Sequence, residues 1–332
     1  MTQDRADRPR RARRPQLPPQ SCAAMWQEAH EAAWGSAAPS QFWVALEQPG
    51  SWGRLAFVES KLDPKIGKAL QAGCSDAGGR ALLIRSPGRH RVQRENEPMP
   101  RTVFVAGGMP SGRPWLLSGT IETPEQLLDL PFDTLLGDDP EPATNALPSL
   151  SRTSTSVLLL CTNAKRDACC AVVGRPIVLE TASSRPDQIW ECTHTGGHRF
   201  APTGVLLPSG VTLGRLSTPL AIAAIDAAQH GLLAGEANTA QHLRGLAHLP
   251  QVEQAADAWV RSQIREADVT ALSTRLLAPA DDDHPGRVEV THRDGRCWQL
   301  RVSRRTDAST WRRNSCGTEP VPTVSWLVEA LP

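Results

Sequence analysis

No apolar run in the 332-residue chain approaches the ~20 residues that a membrane span requires; the longest lies around 219–225 and falls far short. The basic start MTQDRADRPRRARRPQLPPQ has no apolar run after it, so it does not read as a secretory signal. A strong charge excess is also missing. Lys+Arg numbers 36 and Asp+Glu 35, a formal net charge of +1. That balance argues against a strongly basic nucleic-acid binder and against a heavily acidic binding protein. There is no C-x-x-C, the spacing expected of a dithiol oxidoreductase; the adjacent pair Cys169-Cys170 is a poor substitute.

The chain is 40% hydrophobic and 21% charged, the composition of a globular protein with a sizeable core. At ~100–200 residues per domain the length suggests two domains, or three. Residues 1–21 carry six arginines among prolines against Asp4 and Asp7, and read as a disordered basic arm. Such an arm either touches an acidic partner or nucleic acid, or is an extension with no role. The lack of interleaved aromatics and the slightly acidic body favour the second reading. With no export signal, the expected compartment is the cytoplasm. There, the eight cysteines point to metal ligation or redox chemistry rather than to structural disulfides.

The pattern predicts an α/β chain. Residues 22–136 read β-α-β-β-β-α: a helix over 23–34 comes first, then a strand at 42–46, a helix at 61–70, strands at 80–85, 102–106 and 115–119, and a short helix at 125–130. Residues 137–152 hold three prolines and an acidic run, and read as a linker. Residues 153–235 repeat the order, with strands at 156–160 and 188–192, a helix from Asp167 to 182, a hairpin at 205–215 and a helix to Gly231. The shared order is what an internal duplication would leave. Residues 236–332 read as an extension: helices at 238–248 and 251–264, then a hairpin across the Asp294-Gly295 turn. Val252, Ala255, Ala256, Trp259 and Val260 share one face of the second helix and read as core.

Soft ligands cluster in two segments. LLLCTNAKRDACC holds Cys161, Cys169 and Cys170; WECTHTGGHRF holds Cys192, His194 and His198. Cys161 ends a strand. Cys169 and Cys170 fall in the first helical turn, pointing about 100° apart, so one of them readily faces a site shared with Cys161. Gly196-Gly197 lets the chain turn tightly enough for both imidazoles to converge. Two thiolates and two imidazoles suit tetrahedral zinc or a [2Fe–2S] cluster. Cys192, two residues before His194 on a strand, faces the same side and could replace one histidine. Cys22, Cys74, Cys297 and Cys316 stand alone and read as buried small apolar residues.

The motif Cys161, Arg166, Asp167, Cys170, followed by Trp190, His194, Gly196, Gly197, His198, Phe200 and Ala201, resembles the sucrase/ferredoxin-like family of thioredoxin-like ferredoxins. EQPGSWG (47–53), KLDP (61–64) and PVPTVSW (320–326) are similar to it as well. Asn163, Ala164 and Thr203 depart from its usual histidine, glycine and asparagine, none at a ligand position. The resemblance implies a thioredoxin-like ferredoxin domain; the repeated element order makes the same build a candidate for the α/β domain that precedes it. It implies a [2Fe–2S] cluster held by Cys161, Cys170, His194 and His198, with the nine-residue spacing selecting Cys170 over Cys169. Cys169 and Cys192 are the reserve ligands. The expected role is an electron carrier or redox-responsive protein serving an unidentified reductase or acceptor, rather than an enzyme. The alternatives are a zinc-stabilised interaction module on the same ligands and, from the word sucrase, a glycoside hydrolase. The latter needs two flanking carboxylates, and the sequence has no recognisable pair.

Overall fold

The computed structural model describes residues 17–19, 21–28, 31–88, 100–281 and 284–332. Helix α1 (Cys22–Glu28) is followed by β1 (Trp43–Glu47), the single turn α2 (Ala56–Glu59), α3 (Pro64–Asp76), β2 (Arg80–Arg85), β3 (Arg101–Gly107) and β4 (Trp115–Ile121). Asp63 starts α3 by accepting from Lys65 N at 2.7 Å, with Pro64 in the first turn. Two 3-10 turns lead to α4 (Glu141–Ala146) and β5 (Leu150–Arg152). The second half comprises β6 (Val157–Cys161), α5 (Ala168–Ala182), β7 (Ile189–Cys192), β8 (Gly204–Leu207), β9 (Val211–Leu213) and α6 (Thr218–Ala228). After it come β10 (Leu243–Leu246), α7 (Gln251–Ile264), β11 (Leu272–Ala278), β12 (Gly286–His292), β13 (Cys297–Arg312) and β14 (Val321–Ala330).

Ten strands form one sheet in the order β10-β9-β8-β6-β7-β2-β1-β3-β4-β5. In the first half β1 and β2 are parallel, β3 is antiparallel to β1, and β4 is antiparallel to β3. In the second half β6, β7, β8 and β9 repeat those directions. The halves are back to back, joined by the antiparallel pairs Ile84↔Cys192 and Arg85↔Glu191. The repeated element order is therefore matched by a repeated strand order. β6 is buried on both faces, as its unbroken apolar run requires. Leu158 and Leu160 pack with Ile177 and Val178 of α5 and with Leu220 and Ile225 of α6, while Val157 and Leu159 join the larger core shared with the first half.

Several expectations need revision. Residues 1–16 lie outside the described residues, but Leu17 packs against the core and Ser21 is buried, so the body begins before Cys22. The first helix is described over Cys22–Glu28, and residues 31–34, expected to continue it, are not helical. The stretch 137–152 is not bare linker: it contains α4 and the edge strand β5, which pairs with β4. The helix expected at 238–248 is instead strand β10, paired with β9. The C-terminal hairpin belongs to a four-stranded sheet, β11-β12-β13-β14, on which α7 packs Ala255, Ala256 and Val260 against Val288, Val290, Leu300 and Val302. The apolar face of α7 is core, as its period suggested.

Candidate metal centre

Cys161 closes β6, and the chain returns to it three times. Asp167 caps α5, accepting from Cys169 N at 3.0 Å, and so fixes the direction of the first turn. Cys170 then meets Cys161 thiol to thiol and lies 3.9 Å from His198 Nδ1. His194 hydrogen-bonds Cys161 as well, and the His194 and His198 rings stack with centroids 4.0 Å apart. Gly196 (φ 91°) and Gly197 (φ 69°) make the turn between the two histidines, in a region that favours glycine. The structure thus brings Cys161, Cys170, His194 and His198 together. Cys192 is in register with Cys161 across β6 and β7. It is fully buried, and its thiol feels Cys161, Arg80 and Glu191 rather than either imidazole.

Two arginines, Arg244 fully buried and Arg80 half-buried, hold the histidine loop. Arg80 of β2 donates to the carbonyls of His194 (3.3 Å) and Thr195 (3.2 Å). Arg244 of β10 donates to the Gly196 carbonyl at 2.9 Å and to the Ser36 carbonyl. A Cβ at Gly197 would lie 2.3 Å from Arg244 Nη2, so the glycine is needed for this approach as well as for the turn. Burial pushes Arg244 down to about 9, with Cys170 and Cys161 opposing that shift. Sequence reasoning missed both arginines. Their strands are the signal for Arg80, which lies in a well-defined apolar run; nothing in the sequence singles out Arg244.

Cys169 points elsewhere. Its Sγ is 3.6 Å from Cys22 Sγ and 3.1 Å from Cys316 Sγ, and Cys22 and Cys316 are 3.7 Å apart. Cys22 and Cys316 are therefore not isolated residues, contrary to expectation. Asp167 completes a second group, in which one ligand atom from each residue lies within 4.8 Å of the others, close enough to hold a metal ion. Cys297, expected to be buried, is exposed; Cys74 is buried as expected, and burial pushes its thiol up to about 12.

The electrostatics separate donors from acceptors in each group. The hydrogen bond from Cys170 lowers Cys161, and burial opposes it; His194 and the Asn163 N–H lower it further, leaving Cys161 well below the usual thiol range. That same bond and burial raise Cys170. Burial, with His194 beside it, pushes His198 down to about 4 despite Asp167 Oδ2 at 3.9 Å. In the second group the Cys22 thiol lowers Cys169 to about 6, against burial. Burial also acts to raise Asp167, but the N–H groups of Cys316 and Cys169 and the Ser315 hydroxyl outweigh it and hold the carboxyl low.

The family model for sucrase/ferredoxin-like proteins matches residues 33–245. The chain belongs to the sucrase/ferredoxin-like family. No curated protein and no solved structure matches it. The matched span includes both Cys/His segments, Arg80 and Arg244, and ends before the stretch 320–326.

Within this sucrase/ferredoxin-like chain the departures at Asn163 and Thr203 have local partners. The Asn163 N–H serves Cys161, and its Nδ2 is buried with no partner. Thr203 Oγ1 meets Thr195 Oγ1 at 2.8 Å and ties the histidine loop to the start of β8. Arg199 lies over the rings of Trp26 (4.5 Å) and Phe200 (4.8 Å) and donates to Asn314, so it braces α1 rather than the histidines. Phe200 is core. His194 is half-buried and lines an open cleft with Arg54, Lys68, Arg80 and Arg166.

Proposed function

We propose that this chain is a one-electron carrier or redox-responsive protein holding a [2Fe–2S] cluster on Cys161, Cys170, His194 and His198. The observation that supports it most is the convergence of two thiols and two imidazoles from three separate segments, adjacent in pairs, on a chain of this family. The donor set suits the group: soft thiolates are paired with neutral imidazoles, and burial keeps His198 neutral. Asn163 Nδ2, buried without a partner two residues after Cys161, offers one more donor to an anionic group. When bound, the cluster supplies a one-electron couple, and imidazole ligation raises its potential above that of an all-cysteine cluster.

The protein's own residues supply the surroundings. Arg80 and Arg244 fix the carbonyls of the loop and bring two positive charges toward the thiolates. The cleft beside His194 gives that edge access to solvent, and its basic rim suits an acidic redox partner. The two buried carboxylates nearby are committed to other bonds. Asp167 accepts backbone and hydroxyl donors, and Glu191 accepts from Arg85 at 2.6 Å and from Thr162 Oγ1 at 2.6 Å. Neither is offered to a glycosidic bond as an acid–base pair. The same four ligands also suit tetrahedral zinc. Anaerobic purification followed by a visible spectrum separates the readings: a brown protein carries the cluster, and a colourless one loaded with zinc does not.

A further inference from the structure

We propose that Cys22, Cys169, Cys316 and Asp167 form a second metal site, a mononuclear zinc(II) centre that fastens α1 and the β13–β14 hairpin to the start of α5. This inference is independent of the cluster on the histidine side.

The argument begins with three sulfurs. Their separations are 3.6, 3.7 and 3.1 Å. A tetrahedral zinc thiolate with Zn–S of ≈ 2.3 Å places its sulfurs about 3.7–3.8 Å apart, so two of the three edges already have the length required. A polynuclear iron–sulfur cluster puts inorganic sulfides between its ligands and needs its thiolates further apart. A disulfide needs a bond of about 2.0 Å and would leave one buried thiol over. The geometry favours a single soft ion.

The fourth donor is already held in place. Asp167 Oδ2 accepts from Cys316 N and from Ser315 Oγ, both at 2.9 Å, and Oδ1 accepts from Cys169 N at 3.0 Å. The Cys22 Sγ lies 3.7 Å from Oδ2. These bonds orient the carboxylate as outer-shell partners orient metal ligands elsewhere. Positive charge acts on the group: the Arg199 guanidinium, 4.5 Å from the centre of the Trp26 ring, interacts electrostatically with Cys22.

The segments explain why a clamp is useful here. α1 has seven residues, too few to be stable alone, and the far end of the hairpin reaches it through Trp26 Nε1 to Arg313 O (3.1 Å) and Arg312 to Met25 O (2.6 Å). The ligands are 145–149 residues apart in sequence for the pairs that link α1 or the hairpin to the start of α5. Binding zinc closes those long loops, and the binding free energy becomes folding free energy. Asp167 also stands 3.9 Å from His198 Nδ1, so the clamp shares a wall with the histidine site.

The test is zinc and iron analysis of the full-length protein, with zinc K-edge X-ray absorption on the same sample. The expected result is about one zinc per chain, with three sulfur neighbours near 2.3 Å and one oxygen near 2.0 Å. Cys22→Ser and Cys316→Ser should each weaken retention of added Zn²⁺ at least tenfold and leave the iron content unchanged. Failure to retain added Zn²⁺, or a zinc shell with two nitrogen neighbours, would overturn the proposal; the latter puts zinc on the histidines instead. So would a Cys169–Cys316 disulfide found by mass spectrometry in the anaerobically purified protein. Absence of iron together with a three-sulfur zinc shell would refute the electron-transfer reading and leave this one standing.

Discussion

Among single residues, the adjacent pair Cys169 and Cys170 carries the sharpest distinction, because about 100° of helix rotation sends the two thiols to different sites. Cys161→Ser and Cys170→Ser are expected to abolish the iron–sulfur absorption, while Cys169→Ser keeps it. Full cluster occupancy in Cys170→Ser would transfer the ligand role to its neighbour. His198 gives a pH dependence with a definite sign. Its folded value is depressed to about 4 from 6.5, so below 6.5 the unfolded chain takes up the proton first. In protein stripped of metal with a chelator, stability should fall as the pH drops from 6.5 toward about 4, and His198→Gln should flatten that slope. Urea midpoints across this range are the measurement; an unchanged slope in the variant would remove His198 from the account. The cluster of Cys161, Cys170, His194 and His198 was legible because soft residues at close spacing are rare in a sequence. The second group was not, because Cys22 and Cys316 look solitary until α1 and the hairpin end fold onto α5.

Elements were legible where a cap and a period agreed. Asp63-Pro64 and Asp167 mark the starts of α3 and α5, and both caps are present. β10 was misread because Leu243 and Leu246 share a helical spacing. Here tertiary pairing with β9 overrides it, and Gly245 takes a φ of 140°, open to glycine. The same strand carries Arg244, fully buried, a charge that only a partner-rich interior tolerates. Arg244→Met should unpair the Gly196 and Ser36 carbonyls at about 1–3 kcal/mol for each acceptor left dry. Gly197→Ala should cost about 1–3 kcal/mol from backbone strain alone. Both variants should lose the visible chromophore before they lose secondary structure, read by absorption and circular dichroism on one sample. Simultaneous loss would mean that the loop is not held separately from the core. β11 and β14 were missed because their mixed exposure blurs the period-2 signal of a strand.

For the molecule as a whole, the repeated strand order 2-1-3-4 in each half gives one continuous sheet, and the site lies where the inner strands of the halves meet. The element order foreshadowed that repeat, whereas the back-to-back joining of β2 to β7 depends on pairing that local sequence does not encode. Composition argues that residues 1–16 are dispensable, and their deletion should leave the melting temperature and the spectrum unchanged. Trp26→Ala, just beyond them, should cost about 3–5 kcal/mol because the side chain is buried against Phe200 and the hairpin end. A stability loss on deleting 1–16 comparable to that of Trp26→Ala would show that the arm packs on the body. The central claim is the nature of the group on Cys161, Cys170, His194 and His198, and iron with acid-labile sulfide per chain in anaerobically purified protein tests it most directly. The account predicts a brown protein with about two irons and two sulfides, lost in Cys161→Ser and in His198→Ala. A colourless protein with zinc as its sole metal and no labile sulfide would contradict it.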